Sequence, residues 1–239
     1  MGTPAFNRIL LKLSGEALMG DQAFGIDQTV VENFATQISQ ARSLGVEVCV
    51  VIGGGNIFRG MAVAAKGGDR VTGDHLGMLA TIMNALALKN GLDSIDVPCV
   101  VLSAVAMPSI CETFTQRGAM KHIQSGKVVI FAGGTGNPFF TTDTGAALRA
   151  AEMKCDAILK GTQVDGVYTS DPRKDPAAKR FDHVSHQQVL EDGLAVMDAT
   201  AIALARDNMI PIVVFLMHSD AALETVLKGE GTFTTVSGN

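Results

Sequence analysis

The chain has 239 residues, 47% of them apolar, with 26 glycines and only 7 prolines. That is enough for one large α/β domain with a substantial core, and it argues against a long disordered tract. A formal net charge of −5 lacks the basic surplus that non-specific nucleic-acid binding draws on.

The first apolar run, Ile9–Leu13, reads as a strand. Asp27–Leu44 then carries Val30, Val31, Phe34, Ile38, Ala41 and Leu44 near a 3.6-residue period and reads as a helix. Val46–Ile52 is a second strand. His75–Leu88 is a second helix, with Leu76, Leu79, Ile82, Met83, Leu86 and Ala87 on the helical repeat. Strands at Cys99–Leu102, Val128–Phe131, Ala157–Leu159 and Ile212–Phe215 follow, interleaved with helices at Thr144–Met153, Ala199–Asp207 and Ala221–Leu227. Thr232–Val236 is expected to add a late, antiparallel edge strand.

Several strands are apolar at nearly every position, as strands covered on both faces are. The alternation predicts an α/β fold, a three-layer αβα sandwich around a mostly parallel sheet. No repeat or linker composition interrupts residues 1–239, so one domain is expected.

The cysteines, Cys49, Cys99, Cys111 and Cys155, show no CxxC spacing. Buried reduced thiols, and with them a cytoplasmic protein, are expected. The longest apolar stretch, Val97 to Met107, is too short for a bilayer and contains Pro98 and Ser103. The first residues lack a basic-then-apolar leader, and Phe6 stands where a myristoylation signal needs Ser or Thr. No membrane association is expected.

In parallel sheets, ligands sit beyond the carboxyl ends of the strands, and those ends carry unusual loops here. "VIGGGNIFRG" closes the second strand with three glycines, whose N–H groups can approach an anion, followed by Arg59. A dinucleotide fingerprint fails there because Phe58 stands where glycine is required. A Walker loop fails because Met61-Ala62 replace Lys-Ser/Thr.

Lys12, in "LLKLSGEAL", lies inside an otherwise apolar strand, two residues before Ser14-Gly15. Lys160 closes the strand of "DAILKGTQVDGVYTSDP" and precedes Gly161-Thr162. A lysine inside an apolar strand is costly unless it faces a pocket or a counter-charge, or snorkels from an edge. Two lysines at neighbouring strand ends suit phosphoryl transfer, which needs cations over the phosphoryl oxygens and in-line placement.

Asp198, Asp143 and Asp74 stand at expected helix starts, where N-capping is the plain alternative to holding such lysines. Tyr168, the single tyrosine, serves either packing or base stacking. His183 and His186 beside Asp182 lack a clear third ligand, so no metal-site residues are expected. "FAGGTGNPFFTTDTGAALRA" spends ten residues between strand and helix, far more than a turn needs.

Four segments, "LKLSGEAL", "VIGGGNIFRG", "TGNPFFTTDTGAALRA" and "KGTQVDGVYTSDPRKDP", in this order and spacing resemble the bacterial uridylate kinases of the amino-acid kinase superfamily. The resemblance spans essentially the whole chain. It implies the amino-acid kinase fold and transfer of the γ-phosphoryl group of ATP to UMP in pyrimidine biosynthesis.

By the same resemblance, Lys12 and Lys160 stabilise the phosphoryl group in flight and Asp198 orients them. Lys12, Leu13, Ser14, Gly15, Gly55 and Arg59 cradle ATP phosphates, Arg59 touching either donor or acceptor phosphate. Thr162, Tyr168 and Asp171 line the adenosine pocket. Gly54 and Asp74 bind UMP, Asp74 through ribose hydroxyls. Thr135, Gly136, Asn137, Pro138, Phe139, Phe140, Thr141 and Thr142 wrap the uridine and its sugar, with Pro138 stiffening the loop and both phenylalanines anchoring it.

Mg2+ is implied on ATP phosphate oxygens. GTP activation and UTP inhibition are implied too, with Gly20, Asp21, Gln22, Ala23, Phe24 and Gly25 matching the segment of the GTP response. So is a homohexamer. Rival readings are a superfamily kinase acting on a carboxylate or carbamate, a non-catalytic nucleotide-binding protein of the same fold, and a Rossmann oxidoreductase.

Overall fold

Strand β1 (Arg8–Leu13) is buried along all but its first residue, as its apolar sequence requires. A computed structural model describes residues 4–58, 68–217 and 221–238. Around β1 it assembles β2 (Glu47–Ile52), β3 (Cys99–Ser103), β4 (Glu112–Thr113), β5 (Val128–Ala132), β6 (Ala157–Thr162), β9 (His183–Val184), β10 (Ile212–Leu216) and β11 (Phe233–Val236) into a nine-stranded sheet of order β4-β3-β5-β2-β1-β6-β10-β11-β9. Neighbours are parallel except β10 and β11. A separate two-stranded ribbon joins β7 (Val167–Tyr168) to β8 (Arg180–Phe181).

Alternation along the strands divides the core into two layers. Ile9, Leu11 and Leu13 face α1 (Gln28–Ser43), α2 (Arg70–Asp93) and α7 (Ala222–Leu227). Leu10, Ile158 and Val214 face α3 (Gln116–Gln124), α4 (Thr142–Glu152), α5 (His186–Glu191) and α6 (Ala199–Asp207). This is the expected three-layer arrangement.

Side-chain oxygens fix the helix starts. Asp27 Oδ1 accepts from Thr29 N at 2.9 Å to cap α1, and Asp69 Oδ2 accepts from Thr72 N at 2.8 Å to cap α2. The α2 cap corrects the expected start at His75, and Asp74 lies inside the helix rather than at its entrance. The sequence before His75 gave no apolar period because Arg70–Asp74 is polar and glycine-bearing.

Two helices were missed. Helix α3 is short and polar, with Ala119 and Ile123 buried, and α5 has six residues. The edge position expected for Thr232–Val236 is also corrected. β11 is antiparallel to β10, but β9 pairs on its far side with Thr235 opposite His183. A two-residue strand carries no readable alternation.

Candidate active site

Lys12 and Lys160 lie directly opposite one another in the parallel register of β1 and β6. Register partners project to the same face, here toward α4, whose first turn supplies Asp143. Lys12 Nζ is 2.6 Å from Asp143 Oδ1 and Lys160 Nζ is 2.9 Å from Oδ2. The Lys12 contact is an ion pair without hydrogen-bond alignment, which leaves Oδ1 an open acceptor. Lys160 Nζ also donates to the carbonyl of Val196.

Burial alone would raise the Asp143 carboxyl, but the charges of Lys12 and Lys160 outweigh it and hold it below the usual carboxylate value. Burial pulls the Lys160 ammonium down; Asp143 opposes that and the Lys12 charge reinforces it. Two cations thus share one carboxylate at the helix N-terminus, a place that favours the anion.

The sequence reading gave the orienting role to Asp198. The structure gives direct contact with both lysines to Asp143 instead. Asp198 caps α6, accepting from Ala201 N at 3.0 Å. It also takes the hydroxyl of Thr141 and, at 2.9 Å, that of Thr144. It therefore fastens the start of α4 to α6, one step removed from the lysines.

The loops that follow β1 and β2 cross without space for side chains. A Cβ on Gly15 would fall 2.6 Å from both Asn56 Oδ1 and Gly55 N. Ser14 caps the 3-10 turn Gly15–Leu18 by accepting from Ala17 N at 3.2 Å. Leu13, expected beside ATP, buries its side chain in the core, and its carbonyl accepts from Gly53 N at 2.9 Å; only its backbone remains for a ligand.

Beyond these loops lies a cavity of about 220 Å3 lined by Gly54, Gly55, Asp74, Thr135, Asn137, Phe140, Thr141 and Thr142 from the predicted set. Gly55, expected on the donor side, faces this cavity together with Gly54. Gly136, Pro138 and Phe139 do not line it. The expected anchoring role of Phe139 and Phe140 is corrected as well: they are 66% and 48% exposed. Phe139 adopts φ 73°, which turns its N–H to Asp74 Oδ2 at 2.7 Å. Thr135 Oγ1 accepts from Asn137 N at 3.2 Å and donates to Asn137 O at the same distance, so short-range bonds add to the loop's ties to Asp74 and Asp198.

A second cavity, of about 380 Å3, is lined by Tyr168 and Asp171 with Val164, Arg173, Gly193 and Ala195. Tyr168 donates its hydroxyl to Asp165 Oδ1 at 2.6 Å. Asp171 turns the loop, its Oδ1 accepting from Arg173 N at 3.0 Å. Thr162 does not line this cavity and bonds to Val164 at its margin, donating to O at 2.7 Å and accepting from N at 2.9 Å. Ala195 of this cavity adjoins Val196, which holds Lys160, and Thr142 of the first adjoins Asp143. The lysine pair is thus linked through chain neighbours to both cavities.

Gly20–Gly25 forms the connection before α1, with Phe24 exposed. Gly25 N donates to Asn56 O at 3.1 Å, and Asn56 Nδ2 donates to Gly25 O at 2.9 Å. Arg59 lies outside the described residues.

Several supporting residues went unread in the sequence. Buried Asn84 donates to Gly53 O and to Asn56 Oδ1, both at 2.7 Å, pinning the glycine loop to α2. Buried Thr81 accepts from Gly133 N at 2.8 Å. Neither breaks the helical period, so neither gave a signal. Arg70 did leave one, four residues before Asp74.

Residues 7–216 match the amino acid kinase family. The chain is 65% identical over 238 residues to a uridylate kinase of Brucella anthropi, covering 100% of this chain and 99% of that one. It is 63% identical over 236 residues to a uridylate kinase of Rhizobium meliloti, covering 99% and 98%. The crystal structure of UMP kinase from Ureaplasma parvum superposes with a TM-score of 0.92 at 40% identity, covering 97% of this chain and 99% of that one. UMP kinase from Bacillus anthracis gives 0.93 at 38%, covering 97% and 96%. These likenesses run the length of the sheet and through both cavities, and they make the chain a member of the amino acid kinase family, within its uridylate kinases.

Proposed function

We propose that this single-domain protein transfers the γ-phosphoryl group of ATP to UMP, giving UDP and ADP, as a step of pyrimidine nucleotide biosynthesis. One observation carries the reading: Lys12 and Lys160 converge on Asp143, which follows Thr142 of one cavity, while Lys160 also bonds Val196, which follows Ala195 of the other. The names of its relatives supply the acceptor.

ATP takes the cavity at Tyr168 and Asp171, with Thr162 at its margin and Ser14 and Gly15 toward its phosphates. UMP takes the cavity at Gly54, Asp74 and residues 135–142. The two ammonium groups then lie over the phosphoryl group in transit and neutralise charge on its oxygens. Asp143 keeps them apart and aimed, and Asp198 holds the turn that carries Asp143. The acceptor phosphate is already ionised near neutral pH, so no general base is required. Mg2+ is proposed on the triphosphate oxygens, where it would offset their charge.

Regulation by GTP and UTP is part of the proposal. Its support is the pair of hydrogen bonds between Gly25 and Asn56, which ties residues 20–25 to the glycine loop. A homohexamer is proposed as well, supported by the exposed apolar stripe Leu76, Leu79 and Met83 on α2. No described helix is long and apolar enough to cross a membrane, in keeping with a proposed cytoplasmic location.

A coupled ADP-release assay across nucleoside monophosphates, with and without GTP, tests the reading. ADP release is expected with UMP and not with glutamate, aspartate or carbamate. No UMP-dependent release would end it.

A further inference from the structure

The Arg70–Asp74 pair is badly placed for stabilising a helix. Arg70 is the first residue of α2, where the helix dipole disfavours a cation. Arginine preceding aspartate by four residues is also the weaker order for such a pair. The helix start is already secured by Asp69. Yet Arg70 Nε reaches both carboxylate oxygens of Asp74, at 2.9 and 2.8 Å, and both residues line the cavity between α2 and the loop after β5.

Beside Asp74, Phe139 is held at φ 73°, a region non-glycine residues rarely occupy. The conformation delivers its N–H to Asp74 Oδ2 at 2.7 Å and sets its ring 5.6 Å from the Arg70 guanidinium. A helix turn and a strained loop thus converge on one carboxylate whose side chain is only 13% exposed. Among the described residues, Oδ2 accepts from both Arg70 Nε and Phe139 N, whereas Oδ1 accepts from Arg70 Nε alone, so Oδ1 is the less occupied oxygen.

The geometry points to Arg70 as a positioning residue that fixes the Asp74 carboxylate to accept one sugar hydroxyl of the acceptor, the 2′-hydroxyl, and so sets the preference for ribo- over 2′-deoxyribonucleoside monophosphates. This rests on the reading that the cavity takes UMP. A carboxylate held in one orientation penalises an acceptor lacking the hydroxyl, because its open lone pair is then buried unpaired. A carboxylate free to rotate does not.

The test is the ratio of kcat/KM for UMP to that for dUMP, taken on one preparation so that the active fraction cancels. The unsubstituted enzyme is expected to favour UMP by roughly 10²-fold. Arg70→Ala is expected to shrink the ratio roughly tenfold, chiefly through a raised KM for UMP, with KM for ATP unmoved. Arg70→Lys, which keeps a cation within reach of Asp74, is expected to recover part of the ratio. An unchanged ratio in Arg70→Ala, no recovery in Arg70→Lys, a KM for ATP rising in step, or no UMP preference at the outset would each overturn the inference. No turnover of UMP by the unsubstituted enzyme would instead strike the functional reading beneath it.

Discussion

Asp143 and Asp74 are both aspartates in the early turns of helices, each bonded to basic side chains, and they are held in different ways. Asp143 meets Lys12 and Lys160, which rise from adjacent central strands of the sheet. Asp74 meets Arg70 from its own helix and Phe139 from an exposed loop. For the first aspartate to shift, the sheet or α4 must shift. For the second, one side-chain rotation or one loop rearrangement is enough. The contrast teaches where this architecture spends rigidity: most heavily on the charge cluster carried by the sheet, while Asp74 owes its fixed orientation to two local partners.

The sharpest way to break the contrast is Asp143→Asn. It leaves two buried ammonium groups facing each other, and a stability loss of about 3–5 kcal/mol is expected by urea unfolding, with activity falling alongside. Lys12→Ala comes next. It removes one cation from the proposed phosphoryl path, and kcat in the ADP-release assay is expected to fall roughly 10²-fold or more, about 2.7 kcal/mol; a loss under about tenfold would take Lys12 out of the chemistry.

pH sharpens the same point. The folded value of Asp143 lies below its ordinary 3.8, so the unfolded chain binds the proton first as pH drops. The stabilisation is complete above the ordinary value and disappears as pH falls through the lowered one. Acid-unfolding curves of the Asp143→Asn protein should therefore lose part of their slope below about pH 4.

On the Asp74 side, Asn137→Ala combined with Thr142→Ala is expected to raise KM for UMP about tenfold or more while moving KM for ATP little. Equal effects on both would deny that the 135–142 loop belongs to the acceptor. The smallest effect is expected from Phe139→Gly. Relief of the left-handed backbone is partly offset by loss of the ring beside Arg70, and the unfolding free energy from urea titration should rise by no more than about 1 kcal/mol.

The layers and the lysine pair were legible because each rests on a strong local signal. Fully apolar strands cannot be edges, and a lysine inside one demands an explanation. The boundaries of α2 were not legible, because Arg70–Asp74 is polar and its helicity comes from the Asp69 cap. Nor was the choice between Asp143 and Asp198. Both stand at helix starts, and only the packing of α4 over the ends of β1 and β6 decides which carboxylate meets the lysines. Phe139 misled in the other direction: an aromatic in a ten-residue loop suggests an anchor, and the structure leaves its ring 66% exposed.

The facing positions of Lys12 and Lys160 carry an evolutionary consequence. Because successive residues of a strand point to opposite layers, deleting one residue between the start of β1 and Lys12 would rotate that ammonium out of the reaction path and send a leucine in its place. Substitutions on either surface of β1 leave this parity intact, whereas a change in length destroys it. Insertions and deletions should therefore be far rarer in this stretch than in the loops at the strand ends, even where side chains vary freely.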